Sequence, residues 1–142
     1  MKKIIIAFCI LSVVVSLASC SYIDEAEARL FVEEYLVNLE TERFDILNQK
    51  TDFIEEDIAA EFKDLEDQTK LDFQTRIDII EYTDFKTLHS DALYGVPSCN
   101  IAMKVNINGV DALMEFLIID RDGAFNVVYI YITLNGEVFS IC

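Results

Sequence analysis

The chain has 142 residues, 26 of them acidic and 11 basic, for a formal charge of −15 at pH 7, with four cysteines, one histidine and no tryptophan. So acidic a surface is repelled by nucleic acid and takes no electrostatic grip on anionic lipid headgroups, so no nucleic-acid partner is expected. One histidine and scattered cysteines supply no zinc-ligand set, and four separated glycines form no phosphate-cradling loop. No metal and no cofactor is expected.

The first element is an export segment rather than part of a fold. Met1-Lys2-Lys3 precedes the apolar run IIIAFCILSVVVSLA, and polarity returns at Ser21; a positive start, an apolar middle and small residues before a boundary are the layout of a signal peptide. A run of roughly fifteen residues falls short of the ~20 that span a hydrocarbon core as a helix. Leu17-Ala18-Ser19-Cys20 resembles the lipobox of bacterial lipoproteins, in which the chain is cut before the cysteine, here between Ser19 and Cys20, and the cysteine sulfur is alkylated with diacylglycerol. The resemblance implies a signal peptide over 1–19, a lipidation site at Cys20, and a lipidated cysteine with a short spacer over 20–24. The partner it implies is a membrane reached through an acyl anchor of the palmitate kind, in the cell envelope facing the periplasm or exterior. Two or three acyl chains hold a soluble domain stably without a spanning helix, whereas one does so only marginally. By the same resemblance, Ser21 rather than an aspartate permits transfer to an outer membrane where the cell has one.

Without residues 1–20 about 122 residues remain, one domain with a single core. Eleven basic residues less Lys2 and Lys3 leave nine against 26 acids, a formal charge near −17. Asp24 and Glu27 make a capping-box start with Ile23 placed as a staple, and Ala28, Phe31, Tyr35 and Leu39 recur at helical spacing over roughly 25–40. TERFDIL predicts a short second helix with Phe44 and Leu47 one turn apart. Asp52 with Glu55 gives a second capping signal, opening a helix in which Ile54, Ile58, Phe62 and Leu65 keep the same period, and QTKLDFQTR either continues it or turns. The acids of this segment fall mainly between the apolar positions, as a solvated face requires.

From Ile77 the period becomes alternating. RIDIIEYTDFKTL is a strand, HSDALYGVPS a loop, and NIAMKVNI, VDALMEFLII, FNVVYIYITL and EVFSIC are further strands joined at Asn108-Gly109, Arg121-Asp122-Gly123 and Asn135-Gly136. Asn-Gly between alternating runs is the strongest short hairpin signal. Two-residue turns pair Met103 with Met114 and Ile132 with Phe139, and a three-residue turn at Arg121 would pair Asp120 with Ala124, Phe116 with Val128 and Met114 with Ile130. One face then collects Ile101, Met103, Val105, Met114, Phe116, Ile118, Val128, Ile130, Ile132, Phe139 and Ile141. The other holds Lys104, Leu113, Glu115, Leu117, Val127, Tyr129, Tyr131 and Val138, with Lys104 diagonal to Asp111 and Glu115. In this register Cys99 faces the core opposite Ile118 and Cys142 lies on the other face opposite Tyr129, which argues against a disulfide; a one-residue slip at the Arg121 turn would flip the second half of the sheet and weaken that argument.

Three helices before a twisted antiparallel meander resemble the cystatin-like cone of the nuclear transport factor two-like superfamily, and within it the small bacterial lipoproteins that carry such a domain. The residues that carry the resemblance are FVEEYLVNLETERFDIL and VNINGVDALMEFLIIDRDGAFNVVYI, with Phe125 where a tryptophan is common. It covers most of 25–134 and implies an α+β fold, N-terminal helices packed on a curved antiparallel β-sheet meander, over a single domain at 25–142. Family enzymes place acid, base and donors in the mouth of the cone; no such set maps onto this chain, and a shared fold transfers no activity.

The site candidates divide accordingly. Leu113, Leu117, Tyr129 and Tyr131 make the outer sheet face more apolar than one that meets only water, which points to a non-catalytic interaction module taking a homodimer or a protein partner. Tyr35, Tyr82 and Asp84 are the residues that would line a pocket, the mark of a ligand-binding or enzymatic cone. The charge is what an inhibitor or immunity-type lipoprotein against a basic target would carry. His89-Ser90-Asp91 is no triad, because sequence neighbours point in different directions. No catalytic residue is assigned, and DRDG lacks the rest of a calcium-loop ligand series.

Overall fold

Asp24 starts the first helix. Its backbone is extended (φ −74°, ψ 139°) and its Oδ2 accepts the N–H groups of Ala26 at 3.0 Å and Glu27 at 3.3 Å, two donors that have no partner inside the helix. The computed structural model describes residues 22–52, 57–89 and 95–141. Across them run α1 (Glu25–Glu40), α2 (Phe44–Gln49) and α3 (Ile58–Thr69), then β1 (Ile77–Leu88), β2 (Ser98–Ile107), β3 (Val110–Arg121), β4 (Ala124–Leu134) and β5 (Glu137–Ile141). The fold is α+β, and the five strands form one open, curved antiparallel sheet in sequence order.

Helix α1 buries Ala28, Phe31, Val32, Tyr35, Leu36 and Leu39 on one face, and Ile23 ahead of the cap is buried as a staple requires. Thr41 and Glu42 turn the chain, so α2 starts at Phe44, three residues later than TERFDIL suggested. The third helix differs more. Asp57, not Asp52, caps it: Oδ1 accepts the Ala59 N–H at 3.0 Å, and this bond, with another from Asn48, holds the Asp57 carboxyl below its usual pKa. Asn48 fastens α2 to this start, donating to Asp57 at 3.0 Å and accepting the Ile58 N–H at 2.9 Å. Ile54 and Glu55 lie outside the described residues. Asp52 instead pairs with Arg121 at 2.8 Å. Helix α3 ends where Lys70 turns left-handed (φ 61°), and Leu71 and Phe73 of the following segment are buried.

All three hairpins turn on two residues with positive φ: Asn108-Gly109 (51° and 88°), Asp122-Gly123 (56° and 88°) and Asn135-Gly136 (52° and 83°). This is the turn whose twist matches that of the strands it joins. The outer two hairpins have the expected registers, with Met103 opposite Met114 and Ile132 opposite Phe139. The middle one corrects the sequence reading: Arg121 pairs with Ala124 across a two-residue turn, and a bulge follows, so that Leu117 faces Tyr129, Ile118 faces Val127, and Val128 is extra. Phe116 therefore meets Ile130 and Met114 meets Ile132. Val127, expected outward, is fully buried in the core, and Val128, expected inward, joins the outer side.

The core lies between the inner sheet face and the helices. Tyr35 meets Phe116 edge-on at 5.7 Å, Phe31 meets Phe125 at 5.7 Å, and Phe62 packs on Phe73 at 5.9 Å. Strand β5 reaches only the Ile130–Leu134 stretch of β4; beyond it the β4 edge is covered by the α2–α3 connection, whose Lys50 carbonyl and Asp52 N–H bond to Val127 at 2.8 and 2.7 Å. The opposite edge, β1, carries two register shifts that leave Ile80 and Thr83 unpaired, irregularity of a kind that discourages edge-to-edge pairing.

Phe116→Ala removes a fully buried ring from the centre of this core and is expected to cost about 3–5 kcal/mol, whereas Leu113→Ala on the other face of the same strand should cost less than about 1 kcal/mol. Urea denaturation of the two variants checks the contrast.

Candidate functional site

Side chains of one strand alternate between faces, so the core pattern fixes what the outer face displays. Across that face run the rows Glu81–Lys104–Leu113–Thr133–Val138, Asp84–Ala102–Glu115–Tyr131–Ser140 and Lys86–Asn100–Leu117–Tyr129. Three of the four predicted face residues behave as a surface. Leu113 is 44% exposed, and Tyr131 and Tyr129 are half-buried with their ring centroids 4.3 Å apart and the planes tilted by 38°. The Tyr129 hydroxyl donates to Asn100 Oδ1 at 3.2 Å.

Leu117 differs. It is only 8% exposed, gathered with Ile119, Val128 and Tyr129 under Val96 of the β1–β2 loop, which is fastened by the Asp120 N–H donating to the Pro97 carbonyl at 2.9 Å. The exposed apolar part of the face therefore shifts toward the other end of the strands, where Val138 is 64% and Ile80 57% exposed. There Ile80, Lys104, Leu113, Thr133 and Asn135 border a cleft of about 510 Å³. The sequence reading names Val138 on this face but not Ile80, which follows inward-facing Ile79 and lies outside the β1–β2 ladder. Lys104 pairs with Glu81 at 2.7 Å rather than with Glu115 or Asp111. Asp111 accepts from Asn106 at 2.7 Å, and half-buried Glu115 has no ion-pair partner among the described residues.

The three pocket candidates are not brought together. Tyr35 is fully buried, its hydroxyl 2.8 Å from Thr51 Oγ1, and burial pushes its phenol pKa well up. Tyr82 lies under the Arg29 guanidinium at 4.3 Å and donates to Glu33 at 3.0 Å; partial burial and that carboxylate raise its pKa too. Asp84 is exposed beside Lys86 at 3.3 Å. The space between helices and sheet is occupied by Phe31, Phe62, Met103, Met114 and Phe116, all buried.

Cys99 is a free, buried thiol opposite Ile118, as the register required, and burial pushes its pKa up to about 12. Its proposed non-partner Cys142 lies outside the described residues, as do Ser19, Cys20, Ser90, Asp91 and Tyr94. The His89 ring lies 5.2 Å from that of Tyr22. Among the described residues no group of ligands could hold a metal ion, and no helix is long and apolar enough to cross a membrane. No family model, no curated protein and no solved structure matches the chain.

The Cys99 thiol has a definite pH signature. Its folded pKa, about 12, lies above the unfolded value of 9.0, so above pH 9 the unfolded chain releases a proton that the folded chain keeps. Stability is intact below pH 9 and falls as the pH rises toward 12; Cys99→Ala should flatten that arm of a denaturation series. At pH 8 an alkylating reagent should modify Cys99, followed by peptide mass mapping, only after the chain is unfolded in urea. Rapid labelling of the native protein would contradict the burial.

Proposed function

We propose that this chain is a bacterial lipoprotein of the cell envelope, lipidated at Cys20, whose single domain is a cone of the nuclear transport factor two-like kind acting as a non-catalytic protein-interaction module. The observation that carries the reading is the division of apolar surface. The interior is filled by Phe31, Phe62, Met103, Met114 and Phe116, while Ile80, Leu113 and Val138 remain exposed on the outer sheet face beside the Tyr129–Tyr131 ring pair. The space between helices and sheet is filled, so it offers no interior pocket lined by the predicted residues, and Tyr35 and Tyr82 spend their hydroxyls on Thr51 and Glu33. An apolar patch rimmed by polar side chains is what a protein partner covers. The tether comes from the LASC motif and the export segment before it, and the absence of a spanning helix among the described residues is compatible with an acyl anchor.

Native mass spectrometry of the full-length protein, extracted in mild detergent, tests both parts. The expected species begins at Cys20, carries acyl mass, and is bound to a second copy or to another protein. Leu113→Glu combined with Val138→Glu should leave the circular dichroism spectrum unchanged and abolish that association. An acylated monomer with no protein bound, or association indifferent to both substitutions, would remove the interaction-module reading.

A further inference from the structure

Tyr22 opens the described part of the chain and already belongs to the fold, since its ring touches that of His89, Ile23 is buried and Asp24 caps α1. Cys20 is two residues earlier, and two peptide units reach no further than about 7 Å. On the lipoprotein reading above, on which this inference rests, the acylated cysteine leaves the domain no linker. The end of the fold that carries Tyr22 is held at the lipid headgroups.

That end is defined by the sheet register. His89 follows Leu88, the last residue of β1; Leu88 pairs with Ser98 and Ser98 with Ile119, so this row crosses the sheet at the tethered end. Helix α1 runs back along β1 from there, with Tyr82 bonded to Glu33 midway and Val37 and Glu40 beside Ile77 at the far end. The Asn108-Gly109 and Asn135-Gly136 turns lie at that far end. Leu113 is six residues from Ile119 along β3, about 20 Å at the rise of a strand.

Two exposed side chains mark the tethered end, Tyr22 at 58% and Leu88 at 56%. A tyrosine presents an apolar body and a polar tip, the combination that suits the membrane–water interface. Three of the acids nearby have local work: Asp24 caps α1, Glu25 pairs with Arg29 at 2.6 Å, and Asp120 accepts the Gly123 N–H at 2.7 Å; Glu27 is exposed in the first turn of α1. Their charge opposes deep insertion, so the contact is shallow and made by rings and an aliphatic side chain rather than by salt links. Two such side chains would not hold a free protein at a bilayer; a tether of two residues makes the contact intramolecular, so a weak one suffices.

We propose that the Tyr22, Leu88 and His89 end of the domain rests on the lipid headgroup layer, and that Ile80, Leu113 and Val138 at the other end of the sheet are thereby presented away from the bilayer. The chain has no tryptophan, so single-tryptophan variants report one position each. Full-length Leu88→Trp and Val138→Trp proteins, with acyl mass first measured on each, are reconstituted into phosphatidylcholine vesicles brominated high in the acyl chains. Leu88→Trp is expected to lose a measurable part of its emission and Val138→Trp to lose none. His89→Trp, which keeps an aromatic ring against Tyr22, reads the same end independently should the first substitution unfold the edge. Acylated protein in which Leu88 and His89 probes are quenched no more than the Val138 probe overturns the orientation while the lipoprotein reading stands. Protein without acyl mass overturns both.

Discussion

The extra residue at Val128 is the constraint on which the two faces of the sheet depend. A two-residue turn at Asp122-Gly123 places Arg121 opposite Ala124, and an unbroken ladder from there would set Phe116 against Tyr129 and Glu115 against Ile130. Because side chains alternate, that register would send Ile130 and Ile132 to solvent while Phe116 still faced the helices. The bulge restores the parity: Phe125 and Val127 point inward before it, Ile130 and Ile132 after it, and β4 keeps its apolar face toward α1 throughout. Its second effect is at the β4 edge, where Val127 bonds to Lys50 and Asp52 and so draws the α2–α3 connection onto the sheet. Arg121, beside the same turn, closes the arrangement by pairing with Asp52.

Electrostatics plays a smaller part in holding this fold than the composition suggests. The ion pairs are largely exposed, and several join near neighbours in sequence, such as Glu25–Arg29, Asp78–Arg76 and Asp84–Lys86, while Glu81–Lys104 joins adjacent strands. Pairs of this kind contribute roughly 0–1 kcal/mol each. The acids outnumber the bases so far that most have no cation to meet, and their effect is to keep the helical outer surface in water. Where carboxylates do matter is at the backbone: Asp24 and Asp57 satisfy the first donors of α1 and α3, and Asp120 holds the β3–β4 turn.

The sequence disclosed what depends on local chemistry. Helix α1 was legible from its cap and its three-and-four spacing, and the first and last hairpins from Asn-Gly, because each rests on residues within one turn of each other. The middle hairpin is not legible in the same way, because an Asp-Gly pair fits both a two-residue turn and a longer one, and the bulge beside it lies where Val127 bonds to a remote segment, residues 50–52. The two errors were one residue each in the same direction, which is why most core positions came out right while Val127 and Val128 exchanged faces. For α3 the local pattern favours Asp52, which has Glu55 three residues on where Asp57 has Ala60; the tertiary pair with Arg121 engages Asp52, and Asn48 supports the start at Asp57. The outer face was half legible. Alternation places Leu113, Tyr129, Tyr131 and Val138, but no local pattern tells that Val96 folds over Leu117, or that a bulge after Ile79 brings Tyr82 to the inner face. Tyr35, Tyr82 and Asp84 share an aromatic-acidic character in the sequence and nothing in space.

The distribution of exposed apolar side chains follows from these same irregularities. A sheet whose outer face is covered at one end by Val96 and open at the other has two unlike ends, and the covered one is where the chain enters the fold at Tyr22 and where β1 closes at Leu88. An acyl anchor two residues before Tyr22 would convert that asymmetry into a direction, because a tether shorter than the domain leaves little rotational freedom. Flexible Gly- and Ser-rich spacers let a domain tumble above its membrane; a cap at Asp24 and a staple at Ile23, immediately after such an anchor, would do the reverse. With such an anchor the residues that begin α1 would serve both the folding of the helix and the aim of the sheet, and a spacer inserted ahead of Tyr22 would separate the two roles without touching the core.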